Sequence, residues 1–188
     1  MKIINGLKQL SLLVLLGVMA VSCAQKVAPK TRDNPAVYHF SLTILPGEVQ
    51  GKPGWPFYTP ADFTLPPDSE VVVTITNYDP GTEPVPSGRN VVSGTEGNSE
   101  LANGKPVSSL EAGLVSHTFS IEKLKLNVPV PPLVKKSGPG VVVFRFHTPA
   151  EGTYPWQCWA ACGSGKSGWE GAMSTEGFMT GTLKVSRE

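Results

Sequence analysis

Along the chain, apolar and polar residues exchange places every second position in several short stretches, the period of a strand with one buried face. Phe40, Leu42 and Ile44 form one apolar row; Val71, Val73 and Ile75 form another, opposite Thr74 and Thr76. The second row stops at Asn77-Tyr78-Asp79-Pro80-Gly81, a run of turn formers. Val115 to Ile121, Val141 to Phe146 and Thr182 to Val185 are further candidate strands. No stretch keeps a helical period between caps. Short strands joined by Gly- and Pro-rich links predict an all-β fold, a Greek-key sandwich or barrel.

Two stretches lack this period. Residues 82–110 are rich in Gly, Ser, Asn and Pro and read as a long loop inserted between two strands. Pro129, Pro131 and Pro132 mark an extended connection, because proline cannot donate to a sheet ladder. The 188 residues include 20 Gly and 18 Pro, in keeping with many turns. The formal charge of +1 excludes a nucleic-acid binder that works by charge. Three cysteines are too few for a disulfide-rich scaffold, so each needs its own explanation.

The first belongs to an export signal. Lys2 and Lys8 precede an apolar run from Leu10 to Val21 that ends in small residues, a pattern too short for a permanent membrane span. Ala20-Val21-Ser22-Cys23 resembles the lipobox of bacterial lipoproteins, with Ala20 where that motif usually carries Leu. The resemblance implies a signal peptide over residues 1–22 and a diacylated Cys23 as the first mature residue. Residues 23–35 are polar and aperiodic, a tether, and residues 36–188 form the domain. The expected location is the cell envelope, with the domain lipid-anchored on the periplasmic or extracellular face.

Strand parity sorts the histidines. His39 alternates with Phe40, Leu42 and Ile44, and His147 falls in register with Arg145, so both are expected to face solvent. His117 shares its face with Val115, Phe119 and Ile121 and is expected inside. A buried imidazole needs partners for both nitrogens, either backbone and hydroxyl groups or a metal with a second acceptor behind it.

The remaining cysteines stand in Gly152-Thr153-Tyr154-Pro155-Trp156-Gln157-Cys158-Trp159-Ala160-Ala161-Cys162-Gly163, with Met173 and Met179 downstream. Two thiols separated by three residues can converge on one side of a tight loop, and a thioether just before the last strand can act as a weak axial ligand. Such soft donors favour copper over zinc. The plainer reading of the pair is a Cys158–Cys162 disulfide. Trp156, Trp159 and Trp169 are expected around this segment, as a low-polarity shell or as ordinary packing. Gly165-Lys166-Ser167 imitates the end of a phosphate-binding loop, but Ala160 stands where its first Gly is required.

His117-Thr118-Phe119, the Gly152 to Gly163 stretch and Met179-Thr180-Gly181-Thr182-Leu183 together resemble the copper (CuA) domain of cytochrome oxidase subunit II, a cupredoxin-like fold. The resemblance implies one or two copper ions held by His117, Cys158, Cys162 and Met179, in an electron carrier rather than an independent enzyme. It implies a redox partner such as a cytochrome or terminal oxidase. In either alignment of the loop the family's second His is missing, which leaves Glu176, Met173 or His147 to take its place. Two alternatives remain: a copper-storing or copper-delivering lipoprotein with a copper donor or acceptor as partner, and a structural lipoprotein with the disulfide and no metal.

Overall fold

The computed structural model describes residues 37–187. Cys23, the export signal and the tether lie outside these residues. The described chain forms eleven strands and several single 3₁₀ turns. In chain order the strands are β1 (Val37–Leu45), β2 (Phe57–Thr59), β3 (Asp62–Leu65), β4 (Glu70–Asn77), β5 (Glu100–Ala102), β6 (Lys105–Val107), β7 (His117–Ile121), β8 (Leu126–Val130), β9 (Gly140–His147), β10 (Gly152–Gln157) and β11 (Thr180–Val185). They build two sheets, one in the order β2-β1-β4-β9-β5-β6 and one in the order β3-β11-β10-β7-β8. The architecture is therefore an all-β sandwich. Most pairs are antiparallel, but β1 lies parallel to β4 and β3 parallel to β11.

Alternation accounts for the inner faces. Leu42 and Ile44 of β1, Val71, Val73 and Ile75 of β4, and Val142, Phe144 and Phe146 of β9 are buried from one sheet. Phe119 and Ile121 of β7, Tyr154 and Trp156 of β10, and Leu183 and Val185 of β11 meet them from the other. Phe119, Trp156 and Tyr58 form an aromatic centre, with ring centroids 4.8 to 6.2 Å apart. At about 25 cal/mol per Å² of apolar surface removed from water, such rings dominate the stabilising side of folding.

Prolines enter two strands that the sequence reading leaves out, and the topology explains how. Pro129 lies in β8 at the edge of its sheet, where one side of the strand has no ladder to feed. Pro155 lies in β10, which pairs fully with β11 but meets β7 only at Gln157–Ser120. Residues 82–110 also differ from the expected plain loop. They contain β5 and β6, which extend the larger sheet, and the two strands turn at Asn103-Gly104 with both residues at positive φ (49° and 77°). Each strand is three residues long, too short to show a period.

The same segment covers the smaller sheet. Ser93 and Asn127 exchange backbone hydrogen bonds at 2.9 Å, which covers the outer edge of β8 at that one residue. This cover explains why all five residues of β7, not only His117, Phe119 and Ile121, are buried.

Candidate metal centre

The turn after β4, the start of β7, the loop after β10 and the approach to β11 bring the chemistry together. The parity argument agrees with the geometry: His39 and His147 are exposed, and His117 has no accessible surface. One ring nitrogen of His117 and the Sγ atoms of Cys158 and Cys162 lie within 4.8 Å of one another, all three residues buried. The two sulfurs are 3.8 Å apart and unbonded. Two thiolates at about 2.3 Å from one tetrahedral ion stand about 3.8 Å apart, so the spacing fits a shared metal.

The cysteine loop is shaped by its own backbone. Cys158 continues the buried alternation of Tyr154 and Trp156, and its amide donates to the Met179 carbonyl at 2.9 Å. This bond places Met179 opposite Cys158, where side chains of an antiparallel pair share a face; Met179 is fully buried. The chain then folds back, and the Thr118 and Ala160 amides both donate to Cys158 Sγ, at 3.3 and 3.4 Å. Met173 arrives from a 3₁₀ turn (Gly171–Met173) with its Sδ 3.3 Å from Cys162 Sγ. Gly163 makes room for it: a Cβ there would stand 2.8 Å from Met173 Cγ and 2.1 Å from the Glu170 carbonyl oxygen. Of the residues considered for the missing donor, Met173 is at the site, while Glu176 and His147 are exposed.

The electrostatics separate the two thiols. Burial opposes ionisation of Cys158, but its contact with Cys162, the neighbouring His117 with its charge, and the Thr118 amide outweigh it and hold this thiol well below its usual range. Cys162 is pushed well above, first by its hydrogen bond to Cys158, then by burial and by the neighbouring negative charges. Burial also works against a charged His117, yet Asp79 and Cys158 raise it to about 9. Without a metal, these influences favour the charged imidazole and the Cys158 thiolate and disfavour ionisation of Cys162. Tyr58, whose ring edge faces His117 at 6.4 Å, is held un-ionised by burial and the thiols; its hydroxyl donates to the Thr118 carbonyl oxygen.

Sequence reasoning missed Asp79 and Tyr58. Asp79 Oδ2 lies 3.0 Å from His117 Nε2, while His117 Nδ1 is buried without a hydrogen-bond partner. The Asn77 to Gly81 turn signal locates the segment, but nothing in it announces a histidine partner. The tryptophans divide. Trp156 belongs to the core, its Nε1 donating to the Ala61 carbonyl oxygen at 2.7 Å. Trp159 and Trp169 are half-buried and meet edge to face, with the Arg89 guanidinium 4.6 Å above Trp159.

The outer side of β7 ties this loop to the segment before β5. The Trp159 amide donates to Thr118 Oγ1 at 2.7 Å, Thr118 Oγ1 meets Ser120 Oγ, and Ser120 Oγ donates to Asn127 Oδ1 at 2.7 Å. Asn127 Nδ2 then donates to the Arg89 and Val91 carbonyls. The Ala161 amide separately donates to the Pro84 carbonyl at 3.0 Å.

No protein family profile and no curated protein matches this chain. Among solved structures it is similar to rusticyanin from Thiobacillus ferrooxidans, at 17% identity and a TM-score of 0.45, over 80% of this chain and 77% of that one. It is also similar to auracyanin B, at 17% identity and a TM-score of 0.40, over 82% of this chain and 92% of that one. Auracyanin A, a "blue" copper protein from the green thermophilic photosynthetic bacterium Chloroflexus aurantiacus, aligns at 12% identity and a TM-score of 0.39, over 80% of this chain and all of that one. The case for a metal rests on the site's own residues.

Proposed function

We propose that this protein is a cupredoxin-like, copper-binding electron carrier of the cell envelope, related to the copper domain of cytochrome oxidase subunit II and anchored by a lipid on Cys23. The observation that carries this reading is the convergence of His117 with the Cys158 and Cys162 thiols in a buried pocket where Nδ1 has no other partner. Imidazole, two thiols and the thioethers of Met173 and Met179 make a soft donor set, which suits copper and disfavours zinc. Copper supplies a one-electron centre when bound. The protein's part is to keep the donors fixed between oxidation states, so that little reorganisation accompanies each transfer. The Thr118 and Ala160 amides donate to Cys158 Sγ and favour its thiolate form. Tyr58, Phe119 and Trp156 exclude water behind it. The partner is a redox protein such as a cytochrome or terminal oxidase.

With one imidazole and an excess of sulfur, the donor set also favours a second reading, storage or delivery of Cu(I) to a protein acceptor. Copper stoichiometry, optical and EPR spectra of the protein, reduced and loaded anaerobically and then oxidised, separate the two. An electron carrier gives intense visible bands and a reversible one-electron couple. A storage or delivery protein holds one colourless Cu(I) and loses it on oxidation. A protein that retains no copper while its thiols stay free sinks both.

A further inference from the structure

The turn that supplies Asp79 is fixed from several sides. The Tyr78 amide donates to the Ile44 carbonyl, the Leu133 amide donates to the Asp79 carbonyl, and Asn77 Nδ2 donates to the Pro131 carbonyl. Within the turn, the Asp79 amide donates to Asn77 Oδ1 and the Gly81 amide donates to Asp79 Oδ1. That leaves Oδ2 for His117, at 3.0 Å. An ionised carboxylate only accepts hydrogen bonds, so the ring nitrogen facing it must carry a hydrogen.

We propose that Asp79 is a positioning residue: by holding Nε2–H of His117 it fixes the ring so that Nδ1 is the nitrogen presented to the Cys158 and Cys162 thiols. Its value to a bound metal rests on the function proposed above, but the orientation itself needs no metal. Glu83, the other carboxylate near the site, makes no hydrogen bond to the ring among the described residues. It therefore separates a contact effect from a general effect of negative charge. Partners of this kind behind a ligating histidine are worth about 10- to 100-fold in metal affinity.

The test uses the reduced protein with ¹⁵N-labelled histidine, alone and with Cu(I) supplied through a competing chelator. In the metal-free wild type, the His117 Nε2–H is expected to exchange slowly with solvent, unlike the ring protons of exposed His39 and His147. Asp79→Ala should lose that protection and bind Cu(I) about 10- to 100-fold more weakly. Asp79→Asn retains a neutral acceptor and should fall between the two, which decides the matter if the alanine variant does not fold. Glu83→Gln should match wild type. Unprotected Nε2–H in the wild type, or unchanged protection in both Asp79 variants, overturns the proposal; so does a Glu83→Gln loss as large as that of Asp79→Asn. If the wild type binds no Cu(I), the copper reading falls, and the ring-proton comparison alone decides the role of Asp79.

Discussion

His117 and Glu100 are both buried in one small sandwich, at 0% and 2% exposure, yet they meet opposite conditions. His117 has the Asp79 carboxyl behind it and the Cys158 thiol before it, and both favour its charged form against the pull of burial. Glu100, on β5 beside Phe144, has neither oxygen partnered, and burial alone raises its carboxyl to about 8. A buried charge survives where the fold supplies counter-charge and hydrogen bonds, and is neutralised where it does not. The contrast separates a place prepared for ligand chemistry from one where a polar group is merely enclosed.

The largest expected effect tests the first half of that contrast. Cys158→Ser removes the thiolate on which the other groups depend and should abolish copper retention and any visible absorption, whereas His147→Ala should leave both intact. Loss of colour in His147→Ala would falsify the assignment of that residue to solvent.

The second test concerns Glu100. Its folded pKa lies above the ordinary value of 4.5, so the folded chain keeps a proton that the unfolded chain releases. Stability therefore falls as pH rises through the window from about 4.5 to 8, by up to about 1.4 kcal/mol per pH unit. Glu100→Gln lacks this term. Denaturant titrations should show the variant gaining on wild type across that window and levelling off above it; a constant difference would mean that Glu100 has a partner after all.

Smaller effects come from the surroundings of the site. Gly163→Ala should displace Met173 and cost about 1 to 3 kcal/mol of stability, with Cu(I) affinity reduced. Unchanged affinity, measured by chelator competition, would remove Met173 from the donor set. Arg89→Ala loses a half-exposed stack on Trp159 and an ion pair with Glu122, and should cost no more than about 1 kcal/mol in thermal unfolding without altering copper binding.

Much of this was legible where a single face is buried over a long enough run. The rows of β1, β4 and β9 follow from period two, and the same counting puts His117 inside and His39 and His147 outside. The short strands β2, β3, β5 and β6 show no period, and Pro129 and Pro155 disguise β8 and β10. Asp79 and Tyr58 join His117 from separate segments, Asp79 by way of the turn after β4 and Tyr58 on β2 at the sheet margin. Each reaches the site through tertiary pairing, which local pattern does not encode.

The chain of hydroxyl and amide groups running from Trp159 through Thr118, Ser120 and Asn127 to the carbonyls of Arg89 and Val91 makes the cysteine loop and the segment before β5 one mechanical unit. With the Pro84 carbonyl also taking the Ala161 amide, the loop is fastened to residues 84–91 at two separate points. Hydrogen exchange at Trp159 and Ala161 should therefore report the peeling away of that segment. Transplanting the loop from Cys158 to Met179 into another sandwich without residues 84–91 would carry over the sulfur donors but neither His117 nor the clamp that keeps the loop in place.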